Sequence, residues 1–421
     1  MIGSSDGWQA PQSATATPAW LWRGVARLVA LSWRLRALLG KPVDPFRRQG
    51  GEGCLQPSDA LRPLLAAATP RLALRAVDCS DRDALTRWQS AAREKLAALL
   101  RVEFGRPPAV CATAQQPPQR IGLDRAGNPI YLHRMTLPLS ADRHLPIAMV
   151  ATDGHAPRPV LLWQAGSGAG MHLAWGEMRQ PADYQRLPVG PDIARQGAAQ
   201  GWIVLCVEQF GFGERRERRF TPSSKANNTA SVFAQATLLG RSLVGERVRD
   251  VMAAVDWLGA AMPGMDHAPC IDAERLLIAG HSSGGMTALF AAALDLRIAA
   301  ALVSGSLGRV RDTITRRRAD GGEGVVPGIL DWFETEDVLA MVAPRPFATV
   351  SGVRDHIYGA ALGDAVIAAA RPAWRVDGSE DRILGLAGNG GHRIYSAQIW
   401  QAVDFLAGTW SAGYPRDTEN A

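Results

Sequence analysis

Six short apolar runs follow one another from residue 160 onward, and segments of helical length separate them. The runs are VLLW at 160–163, WIVLCV at 202–207, LLIAG at 276–280, AALVS at 300–304, FATVSG at 347–352 and ILGLAG at 383–388. Continuous apolar strands that alternate with helices are typical of a mostly parallel sheet with both faces covered. The sequence therefore predicts an α/β fold with a doubly wound, mostly parallel sheet. Two further strands are predicted before this series, at 129–137 and 145–152.

Changes in composition divide the chain into three parts. We predict an N-terminal extension over 1–82, a main α/β domain over 83–412 and a C-terminal tail over 413–421. Residues 1–20 are rich in Ser, Ala, Pro and Gly and are expected to be disordered. The main domain begins with an amphipathic helix at 83–101, whose shared apolar face is Leu85, Trp88, Ala92, Leu96 and Leu99.

Residues 20–40 form a predicted helix in which arginines interrupt an apolar stretch. Because Arg23, Arg27, Arg34 and Arg36 break up the run, it cannot be a signal-peptide core or a membrane span. One reading is a basic helix that lies on a membrane surface. The other, which we favour, is a helix packed on the protein's own body.

Composition excludes several classes of function. Hydrophobic residues make up 47% of the 421 residues and charged residues 20%, which is ordinary for a globular protein with a large core. A net charge of +6 is weak support for a nucleic-acid partner, and neither zinc-finger spacing nor a phosphate loop with its lysine occurs, so we expect none. The five cysteines are scattered without metal-ligand spacing, which favours a reducing, cytoplasmic location; they are Cys54, Cys79, Cys111, Cys206 and Cys270.

The run LLIAG leads into GHSSGG at 280–285, and a helix-forming segment follows it. The pattern G-x-S-x-G fits here in one register, which centres it on Ser282. In a strand–turn–helix this pattern holds a serine in a strained conformation with its hydroxyl exposed, at the positive end of a helix. The alternative is a glycine-rich turn whose serine caps the helix. We predict that Ser282 is a nucleophile and that His281 is structural or lines the site.

A serine nucleophile needs a base, and the base needs a carboxylate to orient it. When the serine stands in such a strand–turn–helix, the carboxylate and then the histidine follow it along the chain, each on a loop after a later strand. Asp355 comes soon after the run FATVSG, and His392 follows ILGLAG through a glycine-rich loop. We predict Asp355 as the orienting acid and His392 as the base. The alternative acids lie after the preceding strand; they are Asp331, Glu334, Glu336 and Asp337.

The reaction also needs donors for a developing oxyanion. One is predicted to be the backbone N–H of Ser283, the residue after the nucleophile. The other is expected from the loop after VLLW, where Gly166, Ser167 and Gly168 allow a close approach of the backbone to a substrate oxygen. Two insertions, at 214–240 and 306–335, are expected to roof the pocket.

The second insertion contains Arg316, Arg317 and Arg318. Such a cluster could hold an anionic group of a substrate. We favour a solvated lid instead, because charge runs usually face water.

Together these segments resemble the α/β-hydrolases, and more narrowly the acetylxylan esterase-like and dienelactone hydrolase-like serine esterases. The matching pieces are EQFGFGER, GRSLVGERVRDVMAAVDWL, GHSSGG, APRPFATVSGVRD and GGHRIY, which span about residues 84–408. The resemblance implies that 83–412 is a catalytic domain. Glucuronoyl esterases of similar layout carry an arginine after the nucleophile, where this chain has Ser283, which counts against a uronate methyl ester.

The resemblance and the residues together predict a serine hydrolase that cleaves a carboxylic ester through a Ser-His-Asp triad. We expect a small-molecule ester as substrate, an acylated carbohydrate among the candidates, with no metal or organic cofactor. An amidase or small peptidase with the same triad is one alternative, and a non-catalytic binding protein on a hydrolase fold is another. Fold alone does not identify the substrate, and the sequence leaves the oligomeric state open.

Overall fold

A computed structural model describes residues 19–40, 57–103, 111–114, 116–168, 170–217, 229–260, 262, 265, 269–314 and 322–410. The chain divides into two compact units, Met1–Ala60 and Leu61–Ala421. Of the segment 1–20 that is predicted to be disordered, residues 1–18 lie outside the described residues, whereas Ala19 and Trp20 begin a helix. The C-terminal tail and the arginine cluster at 316–318 also lie outside the described residues.

The larger unit is built around a ten-stranded sheet. Its strands are β1 Thr113–Ala114, β2 Gln119–Leu123, β3 Pro129–Ser140, β4 Arg143–Thr152, β5 Arg158–Gln164, β6 Ile203–Val207, β7 Ile271–His281, β8 Ala300–Ser304, β9 Phe347–Gly352 and β10 Ile383–Gly388. The spatial order is β1-β3-β4-β6-β5-β7-β8-β9-β10, with β2 paired to β3.

The six predicted apolar runs are strands β5 to β10, and these pair with one another in parallel. The two earlier predicted strands are β3 and β4, which pair antiparallel at the other end of the sheet. The prediction of a mostly parallel sheet is confirmed. The sequence did not predict β1 and β2, because both are short and lack a buried alternating face.

Thirteen α-helices lie within the described residues. They are α1 Ala19–Leu38, α2 Pro57–Ala67, α3 Arg82–Leu100, α4 Pro181–Tyr184, α5 Ile193–Ala198, α6 Thr229–Leu238, α7 Leu243–Gly259, α8 Ser283–Leu294, α9 Val310–Thr313, α10 Thr335–Ala340, α11 Ala360–Ala370, α12 Pro372–Arg375 and α13 Ser396–Trp410. Short 3-10 helices connect several of them, among them Met171–Trp175, Gly213–Arg215 and Ile329–Asp331.

Helices cover both faces of the sheet. Val160 and Leu162 of β5 belong to one buried cluster, which also contains residues of α3, α7, α8 and α10. The alternate residues Leu161 and Trp163 belong to a second cluster, with residues of α5 and α13. Because successive side chains of a strand point to opposite faces, the two clusters lie on opposite sides of the sheet. This is the doubly wound arrangement that the sequence predicts.

The larger unit begins before residue 83, where the sequence analysis placed the boundary. The backbone N–H of Arg71 donates to the carbonyl of Asp331 at 3.0 Å, and that of Leu74 donates to the carboxylate of Asp337 at 2.7 Å. Leu74 is buried in the same cluster as α3. Residues 61–82 are therefore part of the larger unit, although Pro63 and Pro70 interrupt any periodic pattern in this segment.

The basic helix predicted at 20–40 is present as α1, in the smaller unit. Among the described residues, no helix combines the length and the apolar character needed to cross a membrane. Whether α1 packs on the protein or binds a membrane surface stays a prediction.

Candidate active site

Ser282 stands in the turn between β7 and α8 with φ 54° and ψ −121°. A positive φ is unfavourable for a residue with a side chain, by about 1–3 kcal/mol, and such strain gathers at functional sites. The backbone N–H of Ser282 donates to the carbonyl of Ser304 at 2.7 Å, which fixes the turn to the end of β8. The structure thus has the strained strand–turn–helix that the sequence predicts.

The glycines of the motif allow backbones to touch. A Cβ atom at Gly284 would overlap the carbonyl oxygens of Gln164 and Ala165 at the end of β5. A Cβ atom at Gly280 would overlap the backbone of Gly284 across the turn. The first turn of α8 therefore lies directly against β5 and β7, an approach that an alanine at either position would prevent.

His392, Asp355 and Ser282 form a continuous chain of hydrogen bonds. His392 Nε2 is 2.9 Å from Ser282 Oγ, and His392 Nδ1 is 2.7 Å from Asp355 Oδ2. An ionised carboxylate can only accept, so the proton of the neutral imidazole belongs on Nδ1. Nε2 is then an acceptor aimed at the serine hydroxyl. The structure brings together all three residues that the sequence proposed as a triad.

Asp355 is itself held rigidly. The backbone N–H groups of Ile357 and Tyr358 donate to its Oδ1 at 2.8 and 3.0 Å. Burial acts to raise the pKa of Asp355, but the hydrogen bond and charge of His392 and the N–H of Ile357 outweigh it, so the pKa lies below its ordinary value. The carboxylate is ionised and ready to orient the imidazole.

The alternative acids have other roles. Glu334 and Asp337 cap the N-terminus of α10 reciprocally. Glu336 pairs with Arg309 at 2.9 Å, and Asp331 lines a cavity that Met286 and Tyr358 also line. Asp355 is the carboxylate in contact with His392.

His281 lies beside the triad without joining it. Its Nδ1 is 3.1 Å from Ser304 Oγ, and its ring centroid is 5.2 Å from that of His392. Burial, together with the charge of His392, lowers the pKa of His281 to about 3, so it is a neutral wall of the site. This is the role that the sequence analysis gave it.

The predicted oxyanion donors are arranged around Ser282. Ser283 is the first residue of α8, where a backbone N–H has no carbonyl partner within the helix. Gly166 lies against the nucleophile, because a Cβ atom there would be 3.5 Å from Ser282 Cβ.

The other two predicted donors are tied to different segments. The hydroxyl of Ser167 donates to Glu323, and the carbonyl of Gly168 accepts from the Gln180 amide at 3.1 Å. Gly166 is the residue of this loop whose contact with Ser282 supports the predicted oxyanion role.

Gln209 is a site residue that the sequence analysis missed. Its amide nitrogen donates to the carbonyl of Ala165, and its amide oxygen accepts from the hydroxyl of Thr287 at 2.9 Å. Gln209 is almost fully buried. It therefore links the loop after β5 to α8, the two segments that carry the predicted oxyanion donors.

In the sequence, the helical segment 241–258 has Arg247, Arg249 and Asp250 near Asp256, and this pattern predicts ion pairs that anchor the helix. Asp250 forms such a pair with Arg143 at 2.6 Å, and Arg249 pairs with Glu246.

The guanidinium of Arg247 lies at the candidate site. It is 1% exposed and donates to Ser283 Oγ at 2.6 Å and to the carbonyl of Phe210 at 3.0 Å. Arg247 therefore contacts the residue that follows the nucleophile.

Glu208 lies under the loop after β5. Its carboxylate accepts from the backbone N–H groups of Met171 and Glu214, each at 3.0 Å. Burial raises the pKa of Glu208 to about 7, although these two hydrogen bonds oppose the shift. The segment EQFGF at 208–212 thus holds the loop after β5 in place through Glu208 and Gln209. The sequence feature that could have revealed Glu208 and Gln209 is their position directly after the apolar run of β6.

The described residues contain no cluster of three His, Cys, Asp or Glu side chains that could hold a metal ion.

Comparison with known proteins supports this architecture. A protein of Bacillus subtilis strain 168, "Putative hydrolase YtaP", is 26% identical over 257 residues, which are 61% of this chain and 79% of that protein. No protein-family model matches the chain.

Two solved structures have a similar fold. A "putative acetyl xylan esterase" from Bacteroides fragilis has a TM-score of 0.62 at 19% identity, over 81% of this chain and 84% of its own. A glucuronoyl esterase from Solibacter usitatus has a TM-score of 0.57 at 17% identity, over 81% of this chain and 97% of its own. At these identities the likeness shows the fold, which confirms the predicted α/β-hydrolase architecture.

Proposed function

We propose that this protein of the α/β-hydrolase fold is a serine hydrolase that cleaves a carboxylic ester. The observation that carries the proposal is the chain of hydrogen bonds from Ser282 Oγ to His392 and on to Asp355, at 2.9 and 2.7 Å. These distances lie within the reach that proton transfer between a nucleophile and its base requires. The strained backbone of Ser282 supports the same role.

The geometry suggests a two-step reaction. Ser282 Oγ attacks the ester carbonyl while His392 Nε2 takes the hydroxyl proton, and Asp355 stabilises the imidazolium that forms. His392 then donates the proton to the leaving alcohol, which breaks the C–O bond and leaves an acyl-enzyme. A water molecule, deprotonated by the same imidazole, attacks the acyl group. The imidazolium then returns this proton to Ser282 Oγ as the bond between the acyl carbon and the serine oxygen breaks and the acid is released. Every atom and proton is accounted for without a metal or organic cofactor.

The oxyanion of the tetrahedral intermediate would be bound by the N–H of Ser283 and by the loop that contains Gly166. Removing one such donor typically lowers the rate by about a hundredfold to a thousandfold. Gln209 and Arg247 support the two sides of this site. Gln209 joins the loop to α8, and Arg247 places a buried positive charge on the side chain of Ser283.

The similar solved structures favour an ester as substrate. One is named an acetyl xylan esterase and the other a glucuronoyl esterase. An acylated carbohydrate or another small ester is therefore the first class of compound to test.

The proposal is tested by labelling with a fluorophosphonate, which reacts with activated serines. We expect a single adduct on Ser282, found by intact mass and peptide mapping, and no adduct in the Ser282→Ala variant. Ser80→Ala is the matched control, because Ser80 is exposed and bonds to Asp78. Hydrolysis retained by a folded Ser282→Ala variant would refute the mechanism. Failure to label a folded parent protein would favour a binding protein on a hydrolase fold.

A further inference from the structure

A cavity of about 270 Å³ lies next to the triad. Apolar side chains from two regions form most of its lining. The first region is α8, which contributes Met286, Leu289 and Phe290, and the second is the segment after residue 322, which contributes Val325, Val326 and Ile329. Cavities of this kind, apolar with few polar groups, are the usual form of a small-molecule site.

Two walls of this cavity are bonded directly to the triad. The backbone N–H of Met286 donates to the carbonyl of Ser282 at 3.1 Å. Tyr358 lines the cavity, its backbone N–H donates to Asp355 at 3.0 Å, and its ring centroid is 6.4 Å from that of His392. Ser282, Asp355 and His392 do not themselves line the cavity, so Met286 and Tyr358 are its connection to the reacting groups.

A third wall contains a buried hydroxyl. Ser306 is 5% exposed and lines the cavity, and within the described part of the chain its Oγ has no hydrogen-bond partner. The preceding residue, Gly305, touches the base, since a Cβ atom there would be 3.5 Å from His392 Cε1. A buried hydroxyl without a partner is unfavourable. The hydroxyl lies against α8, because a Cβ atom at Gly285 would overlap Ser306 Oγ.

The order of strands indicates which half of an ester enters. β5, whose loop would bind the oxyanion, lies on one side of β7, and β8, β9 and β10 lie on the other. The cavity walls at Ser306 and Tyr358 follow β8 and β9, on the same side as His392. The leaving oxygen must come within hydrogen-bond distance of His392 to receive its proton. The cavity is therefore on the leaving-alcohol side.

We propose that this cavity binds the alcohol half of the ester, and that this half is an apolar alkyl or aryl group. The inference rests on the proposed function and selects among its substrate classes: it favours a small ester of an apolar alcohol over an acylated carbohydrate, whose alcohol half is a polar sugar. Cavities of about 150 Å³ lined by apolar side chains already bind benzene. A volume of about 270 Å³ therefore accommodates an aromatic ring or a chain of several carbons.

Two series of esters test the assignment on the full-length protein. The first series is acetates of methyl, ethyl, butyl, hexyl and benzyl alcohol, and the second is ethyl esters of acids from acetic to hexanoic. We expect kcat/KM to rise about fourfold per methylene in the alcohol series until the cavity is full, from the usual free energy of burying a methylene group. The acyl series is expected to stay nearly flat. A rise confined to the acyl series would overturn the proposal.

A cavity-filling variant gives the second measurement. Val325→Trp should remove the dependence of kcat/KM on alcohol length, since a Trp fills the space that the longer alcohols need. Leu123→Trp is the matched control, because Leu123 is 50% exposed on β2 at the far end of the sheet. A folded Val325→Trp variant that keeps the full dependence on alcohol length would refute the proposal.

Failure of this inference differs from failure of the proposed function. If the proposed function is wrong, the parent protein hydrolyses no ester and Ser282 is not labelled. If the inference alone is wrong, esters are hydrolysed and Ser282 is labelled, but alcohol length has no effect. Should Val325→Trp not fold, the two ester series on the parent protein still decide the question.

Discussion

Ser282 combines backbone strain with side-chain alignment. Its positive φ is unfavourable, and its neighbours keep it in place through the hydrogen bond to Ser304 and the contact of Gly284 with the end of β5. The result is a hydroxyl that faces His392 Nε2 rather than the first turn of α8, where a capping serine would bond. The capping alternative raised by the sequence does not describe this residue.

Removal of the Arg247 guanidinium should weaken oxyanion stabilisation. We expect Arg247→Met to lower kcat about tenfold to a hundredfold with little change in KM, because the buried charge and the hydrogen bond to Ser283 act on the transition state. Inhibition by a boronic acid that mimics the tetrahedral intermediate should weaken in parallel. Arg249→Met is the control, since Arg249 is on the same helix and pairs with Glu246. Equal loss in both variants would show that the effect is structural.

Glu208 should make stability depend on pH. Its pKa is about 7 in the folded chain and near 4.5 when unfolded, so the folded state binds more protons between these values. The free energy of unfolding therefore falls as pH rises from about 4.5 to about 7, by up to about 3 kcal/mol, and is constant above that range. Glu208→Gln does not titrate, and we expect it to lack this decline.

Urea unfolding of the parent and the variant, at intervals across that range, measures the difference. Glu94→Gln provides the control, because Glu94 is exposed on α3. Parallel pH profiles for the parent and Glu208→Gln would rule out a raised pKa for Glu208.

Three elements meet at the site: the loop after β5, the start of α8 and the segment after β6. The sequence identified the first two, because each has a local signature of glycines after an apolar run. The sequence did not predict the hydrogen bonds that Gln209 and Arg247 form between these elements. Gln209 is 44 residues from Ala165 and 78 from Thr287, and Arg247 is 36 residues from Ser283. No local pattern relates residues so far apart, so their pairing follows from the packing of α7 and β6 rather than from a motif.

Gly284→Ala tests the close packing of α8 against β5. The added methyl group would overlap the carbonyls of Gln164 and Ala165, so the first turn of α8 must move. We expect a lower melting temperature and an almost complete loss of fluorophosphonate labelling. Gly259→Ala, near the end of α7, is the control, because a Cβ atom there meets nothing within 4 Å and should be neutral or slightly stabilising. Normal labelling of Gly284→Ala would contradict the packing argument.

The parallel sheet brings loops that are distant in the sequence to one edge of the molecule. Because the carboxyl ends of β5, β7, β9 and β10 meet at one edge, residues more than a hundred positions apart come together, and the sequence alone could place Ser282, Asp355 and His392 there. The N-terminal boundary could not be placed in this way. Leu72 and Leu74 pack against the larger unit, and their backbone N–H groups donate to Trp332 and Asp337. They belong to an irregular segment, so no hydrophobic periodicity in the sequence reveals these contacts.

Deletion variants test where the larger unit begins. We expect residues 57–421, which retain all of α2, to fold and to label as the full chain does. Residues 83–421 should melt at a lower temperature, because they lack Leu74 and its bond to Asp337. Thermal unfolding followed by circular dichroism compares the two. Equal melting temperatures would restore the boundary at residue 83 that the sequence suggested.

The central claim is that Ser282 attacks an ester and becomes acylated. Its most direct test is to mix the protein with 4-nitrophenyl acetate, quench in acid and map the acetyl group by peptide mass spectrometry. Our account predicts a burst of nitrophenol of about one equivalent and an acetyl group on Ser282, with neither in Ser282→Ala. Turnover with no acetyl group on Ser282, or with the acetyl group on another residue, would contradict it.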